Sequence, residues 1–373
     1  MTPVSSSPSP VPPVTDLRPA RRWVPRHVVV TRSAAERPHT AEILRRVEAA
    51  GVTDVQLLLA DRITSPRGLS EREAYARAKD TLAVVVAPPS QLRPQPIPPS
   101  ADWRLDLAKG CPAHCQYCYL AGSLTGPPIT RVYANVDDVL APIRSLTGSG
   151  SVTTGDADRA GEGTTFELSC YTDPLGIEHL TGSLAAAVTE VGTGLHGDGA
   201  SLRFTTKFDD VAPLLALPHG RRTRVRFSLN ASGVERFEGG TARMPERVAA
   251  LGRVARAGYP VGLTIAPVMP VDGWREQYAA LLDDVALALA DVDDLDVTAE
   301  VITHRFTPGS KEVIQGWYPR TRLDLDEDGR RAKRSKFGGV KYVYPAETMR
   351  ELRGWFTDEL DARLPQARLL YWT

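Results

Sequence analysis

Cys111, Cys115 and Cys118 fall within eight residues, in the spacing Cys-x3-Cys-x2-Cys. Cysteine thiolate is a soft ligand that suits both iron and zinc, and metal binding itself promotes loss of the thiol proton. Three thiolates can hold three irons of a four-iron cluster and leave the fourth open to a small molecule, so that chemistry as well as electron transfer becomes possible. Two other readings use the remaining cysteine, Cys170, as a fourth ligand: a structural zinc site, or a closed electron-carrying cluster. Structural zinc usually takes its ligands in two separated pairs, unlike this compact triplet.

The elements that must position these cysteines follow from the apolar pattern. Residues 23–100 read as a small α/β extension, with strands at 28–30, 55–59 and 81–87, a helix at 40–50, and a Pro-rich linker ending near Pro99. From residue 101 to about 308, strand and helix alternate. Strands are expected at 103–108, 164–169, 202–206, 224–229, 261–265 and 297–302, and helices at 136–146, 180–191, 211–217, 246–257 and 274–289. Six such units predict an α/β fold: a partial (β/α)6, TIM-like barrel whose site lies at the carboxyl ends of the strands. Those ends carry the cysteine triplet, Cys170, Lys207, Ser228 with Asn230, Ala266 with Pro267, and His304 with Arg305. The stretch 147–163, dominated by Gly, Ser, Thr and Asp, reads as a mobile surface loop.

With 45 basic and 45 acidic side chains the net charge is zero, which excludes a global pull toward nucleic acid or an anionic membrane and leaves only local basic patches. Four cysteines, three of them clustered, fit a metal site in a reducing cytoplasm better than a disulfide framework. Residues 1–22 read as a disordered tail, rich in Ser and Pro and without a signal-peptide core. No run approaches the roughly 20 apolar residues of a membrane span.

Longer motifs sharpen this reading. The triplet, with Tyr117 before its last cysteine, resembles that of the radical S-adenosylmethionine enzymes. Its flanks, Gly110 to Leu120, then Arg131-Val132-Tyr133, Cys170-Tyr171-Thr172-Asp173, Arg203 to Lys207, Arg226 to Asn230, His304-Arg305-Phe306, Tyr318 to Asp326 and Lys341 to Tyr344, resemble the spore photoproduct lyases. The extension matches too, through Trp23-Val24-Pro25 and Ala78 to Leu82, so the similarity runs from about residue 23 to the C-terminus.

The resemblance implies a DNA-repair lyase that splits 5-thyminyl-5,6-dihydrothymine, a methylene-bridged thymine dimer, into two thymines by means of a 5′-deoxyadenosyl radical. Cys111, Cys115 and Cys118 would hold a [4Fe-4S] cluster, and S-adenosyl-L-methionine would bind its open iron. Cys170 stands where the family has its hydrogen donor; a buried small hydrophobe is the plainer fate of a lone cysteine, and the strand-end position favours function. Tyr117 and Tyr119 match tyrosines proposed to relay the radical, or else they pack around the cluster. Lys207, Ser228, Asn230 and Ala266 match cofactor-contacting positions, and the Gly-Gly-Glu stretch of many other radical enzymes is absent.

Thr172, Lys336, Phe337, Lys341 and Tyr342 match lesion-contacting positions, the last four in a C-terminal hairpin segment, 309–373, that would extrude the damaged bases. The segment from Arg320 to Lys341, with Arg330, Arg331, Lys333, Arg334, Lys336 and Lys341, suits phosphate. The partners implied are DNA carrying thymine photolesions and an electron donor such as a flavodoxin or ferredoxin; the oligomeric state is left open. Lys336-Phe337 where relatives tend to have Arg-Tyr, Thr172 where serine is common, and the 147–163 insertion keep two alternatives alive. One is a related radical enzyme acting on another nucleic-acid lesion or a nucleotide. The other is a metal-stabilised nucleic-acid-binding module.

Overall fold

Runs of β-branched and aromatic residues between Gly- and Pro-containing turns form the strands of this chain. The computed structural model describes residues 20, 22–64, 68–124, 126–334 and 339–373. Nearly all of the tail expected at 1–22, together with Lys336 and Phe337, lies outside these described residues. In chain order the strands are β1 (His27–Val30), β2 (Val55–Leu57), β3 (Thr81–Val85), β4 (Gln95–Ile97), β5 (Ala101–Leu105), β6 (Ala108–Lys109), β7 (His114–Cys115), β8 (Thr130–Tyr133) and β9 (Thr164–Leu168). They continue as β10 (Ala200–Thr206), β11 (Thr223–Leu229), β12 (Glu238–Gly239), β13 (Val261–Val268), β14 (Val297–Thr303), β15 (Arg331–Arg334), β16 (Val340–Val343) and β17 (Ala367–Trp372).

The larger sheet has the order β17-β14-β13-β11-β10-β9-β5-β4. Its six expected strands are neighbours in chain order and all parallel, which gives the open, curled half-barrel anticipated from the alternating pattern. Two edge strands were not anticipated. Strand β4 pairs antiparallel with β5, and β17, from the C-terminal segment, adds parallel to β14.

Three helix expectations are corrected. Residues 211–217 form turns, because Pro213 and Pro218 break a segment whose Val211 and Leu214 are buried in any case. Pro142 divides 136–146 into Val136–Leu140 and Pro142–Leu146, and the helix expected from 180 begins at Ser183, after Gly182 in the left-handed conformation. Helices Met244–Arg256 and Trp274–Leu289 lie where their apolar periodicity puts them.

The smaller sheet, β2-β1-β3-β8-β6, takes β6 and β8 from beyond residue 100, on either side of the cysteine segment. The N-terminal extension therefore holds both flanks of that segment.

The insertion at 147–163 is anchored, not the loose surface loop its composition suggests. Asp102 accepts hydrogen bonds from Val152 N (2.7 Å), Thr153 N (3.1 Å) and Thr153 Oγ1 (2.7 Å), and also from Thr165. A 3-10 turn at Ala157–Glu162 buries Arg159, whose guanidinium donates to the carbonyls of Pro99 (2.9 Å) and Ser100 (3.0 Å). Polar residues gave no sign of this, because the partners lie about 50 residues away in sequence.

Inside the barrel, Glu167, Arg203, Arg226 and Glu300 form a buried network from four different strands. Arg226 pairs with both carboxylates, at 2.5 Å to Glu300 and in a closer contact to Glu167; Arg203 also pairs with Glu300, and Tyr371 donates to Glu300 over 3.1 Å. Gly262 makes room for it, since a Cβ there would come within 2.6 Å of the Arg226 side chain. Charges of opposite sign desolvated together hold one arrangement at the barrel floor.

Candidate active site

The cysteine segment runs between β6 and β8, with Cys115 in the short strand β7. Gly110 enters it at φ +80°, and a Cβ there would lie 2.1 Å from the Ile129 carbonyl oxygen, so only glycine fits. Lys79, buried at the end of the extension helix Glu71–Lys79, reaches across and donates to the Cys111 carbonyl (2.7 Å) and, more closely, to that of Ala113. Its own carbonyl accepts from Trp23 Nε1 (3.1 Å). Thus the Trp23 and Lys79 motifs read in the sequence are the clamp on the loop.

Cys115 is fixed from the other side, where β7 pairs antiparallel with β12, Cys115 facing Glu238. The Glu238 carboxylate is fully buried and has two cations on it: Lys207 at 2.9 Å and Arg247 at 2.5 Å. Tyr117 also donates its phenol proton to Glu238, and Lys207 donates further to the Tyr117 hydroxyl (2.9 Å) and Ser228 Oγ (2.7 Å). Burial alone would raise the Glu238 carboxyl pKa, but Lys207 and Arg247 override it and hold the group below its usual range. Sequence reasoning missed Glu238, Arg247 and Lys79 as site residues; Glu238 sits in a two-residue strand with no periodic signal.

The three thiols lie within electrostatic reach of one another. Burial pushes Cys111 up to about 12 and Cys115 higher still, against the pull of Lys79 on the first and Lys207 on the second. Thiols so placed need a metal's charge to become thiolates. Among the described residues no three His, Cys, Asp or Glu side chains are close enough to share a single metal ion. A four-iron cube spreads its thiolates over separate corners, so one half-buried loop carrying three cysteines fits that group better than it fits a mononuclear site.

Cys170 lies just past β9, partly exposed. It follows Ser169, a non-glycine residue at φ 60° whose Oγ accepts from Leu107 N (3.0 Å) and whose amide donates to Leu105 O (2.6 Å). That tie sets the turn against β5. Burial, then the negative charges of Glu167 and Asp106, drive the Cys170 thiol well above its ordinary pKa, so it is an S–H group at neutral pH. Asp173, on the same turn, accepts from Lys207 N (2.7 Å) and Thr206 Oγ1 (2.9 Å), joining the Cys170 turn to β10.

Tyr119 is 56% exposed, in electrostatic reach of both Cys118 and Cys170, with its ring centroid 6.2 Å from that of Tyr171. Tyr117 instead points into the Glu238 cluster. Ser228 and Asn230 are buried. Asn230 donates to Pro267 O (3.0 Å) and accepts from Tyr278 (2.6 Å), so it fixes the backbone beside Ala266. Thr172 Oγ1 is buried without a hydrogen-bond partner among the described residues.

Strands β15 and β16 form the expected hairpin. Arg331, Lys333 and Arg334 are exposed, and Lys333 faces Lys341 directly across the ladder, a like-charge pair that an anion would relieve. The base is rooted: the Tyr342 ring stacks on Phe306 at 5.4 Å, and Arg330 lies 3.7 Å over Tyr344 while donating to His304 O (3.1 Å). No helix among the described residues is long and apolar enough to cross a membrane.

Residues 23–373 match the family model described as spore photoproduct lyase. The chain is 37% identical over 352 residues to the spore photoproduct lyase of Geobacillus sp. (strain Y412MC61), covering 94% of this chain and 99% of that one. It is 36% identical, with the same coverage, to that of Bacillus subtilis (strain 168). Among solved structures, a spore photoproduct lyase complexed with dinucleoside spore photoproduct superposes with a TM-score of 0.85 at 36% identity, over 95% of this chain and 100% of the other. A mutant with bound AdoMet and the same dinucleoside matches equally well.

Proposed function

The chain belongs to the spore photoproduct lyase family of radical S-adenosylmethionine enzymes and is a DNA-repair lyase of that type; from this premise we propose that it returns 5-thyminyl-5,6-dihydrothymine to two thymines, with Cys170 as hydrogen donor. The observation that supports the proposal is that Tyr119 lies within electrostatic reach both of Cys118 in the triplet and of Cys170, a cysteine on another strand end that is kept protonated.

Cys111, Cys115 and Cys118 would hold the [4Fe-4S] cluster. When bound, the cluster and S-adenosyl-L-methionine supply a carbon-centred radical that removes a hydrogen atom from the dihydrothymine ring. The chain's own residues do the rest. Lys207 and Ser228 line the cofactor side, where Lys207 would exchange one internal partner for a cofactor carboxylate. Asn230 holds the Ala266 backbone at that wall.

Cys170 presents its S–H to the thymine radical left when the methylene bridge breaks. Tyr119, between Cys118 and Cys170, is suited to return the radical toward the cofactor, while Tyr117 serves chiefly to seat Lys207 and Glu238. The Arg331, Lys333 and Lys341 face of the hairpin supports phosphate contact, and Thr172 and Tyr342 would contact the lesion. Reduction of the cluster calls for an electron donor such as a flavodoxin or ferredoxin.

The raised thiol pKa gives a pH prediction. A free cysteine, with a pKa near 8.5, would lose its proton and its hydrogen atom as pH rises from about 7 to 9. Cys170, held well above that range, keeps it, so the proportion of thymine among lesion-derived products should stay constant across the interval. Product analysis by chromatography at several pH values checks this. The lesion assignment itself is tested by offering the reduced, reconstituted protein a panel of defined photolesions; turnover of the methylene-bridged dimer alone is expected, and preference for another lesion would favour the related-enzyme reading.

A further inference from the structure

Next to Cys170 lies a group of charged side chains that the mechanism above leaves without a task. Arg104 in β5 and Lys109 in β6 flank one carboxylate, Asp106, and Arg131 in β8 stands beside Lys109. Lys109 and Arg131 are register partners across β6 and β8, so they project on the same face. The Arg104 guanidinium lies 3.3 Å from Asp106 and 4.8 Å over the Tyr171 ring, and Lys109 Nζ lies 5.1 Å from the centre of that ring. Tyr171 directly follows Cys170, and the backbone amides of both residues approach the Asp106 carboxylate.

Three neighbouring cations with one carboxylate among them leave an excess of positive charge in a half-buried place. Asp106 is 3% exposed, and its Oδ1 has no hydrogen-bond partner among the described residues. Burial pushes its pKa up to about 6, which weakens it as a counter-charge. No carboxylate lies within salt-bridge distance of the Lys109 ammonium or the Arg131 guanidinium among the described residues. Like charges gathered at the edge of an open mouth favour an anion that desolvates with them.

We propose that Arg104, Lys109 and Arg131 bind a phosphate of the lesion-bearing strand and so seat the bridged pair of thymines against Cys170. This rests on the lesion reading above. The flat Tyr171 ring, with Arg104 and Lys109 on it, sets the height of the site, and the neutralised backbone holds the thymine radical near the thiol.

The test compares three substrates: a dinucleoside lesion without a bridging phosphate, the dinucleotide with it, and an oligonucleotide with flanking phosphates. In Lys109→Gln and Arg131→Gln, the ratio of kcat/KM for the dinucleotide to that for the dinucleoside should fall roughly tenfold, the effect of one charge-assisted contact. Lys109→Arg should restore the ratio. A change confined to the ratio of oligonucleotide to dinucleotide also supports the site and assigns it to a flanking phosphate. If neither ratio moves in either variant, the phosphate site is overturned while the lesion reading stands. A parent protein that repairs none of the three overturns the lesion reading, and the phosphate site with it.

Discussion

Cys170→Ala retains iron and labile sulfide and still cleaves S-adenosylmethionine, yet thymine recovery falls at least roughly tenfold, a loss of about 1.4 kcal/mol or more of transition-state stabilisation. The reason is geometric. Cys170 sits on the turn after β9, held by Ser169 and Asp173, and among the described residues shares no hydrogen bond with the cysteine segment between β6 and β8. Removing its sulfur subtracts the S–H donor without touching Lys79, Glu238 or the other supports of the triplet. The thymine radical must then collect hydrogen elsewhere, and products other than thymine accumulate. Iron and sulfide analysis beside product chromatography decides the matter. Loss of cluster iron in the variant would make Cys170 a ligand and return the closed-cluster reading.

Glu238→Ala should be the most destabilising single change at the site. It leaves Lys207 and Arg247 buried without their shared counter-ion and strips Tyr117 of its acceptor. Breaking a buried ion pair from one side costs about 3–5 kcal/mol. Glu238→Gln, which keeps the acceptor for Tyr117 but not the charge, should cost less. Because β12 pairs with β7 at Cys115, the alanine variant should also take up less iron. Denaturant unfolding of the metal-free protein, read beside iron content after reconstitution, checks both effects. An unfolding free energy within about 1 kcal/mol of the parent would show that Glu238 is not the pivot of this cluster, since surface changes alone have effects of that size.

The parts of the molecule governed by local periodicity were legible in the sequence. The six parallel strands alternate with helices such as Met244–Arg256 and Trp274–Leu289, and five of the six strand ends carry a polar or metal-binding residue, as the barrel rule leads one to expect. The cysteine triplet and Cys170 could be separated because they fall on different strand ends. What escaped depends on partners distant in the chain. The 147–163 insertion is polar by composition, yet Asp102 and the Pro99 and Ser100 carbonyls bind it down. Residues 211–217 have a helical apolar pattern that Pro213 turns into tight turns.

Lys79, known from the sequence only as part of a motif, is the buried clamp on the cysteine loop. Likewise, Glu167, Arg203, Arg226 and Glu300 are spread over four strands and share no local pattern. Only the curl of the sheet brings them together as one compensated network, with Gly262 making the space. Strand β17 joins the barrel from a segment whose sequence suggested substrate contact alone.

The central claim is that a radical generated at the Cys111, Cys115 and Cys118 loop repairs a methylene-bridged thymine dimer. Its most direct test gives the anaerobically reconstituted, chemically reduced protein S-adenosylmethionine and a synthetic dinucleotide of that lesion. The account predicts that the lesion disappears in step with the formation of the intact thymine dinucleotide. Accumulation of 5′-deoxyadenosine with the lesion untouched would contradict it.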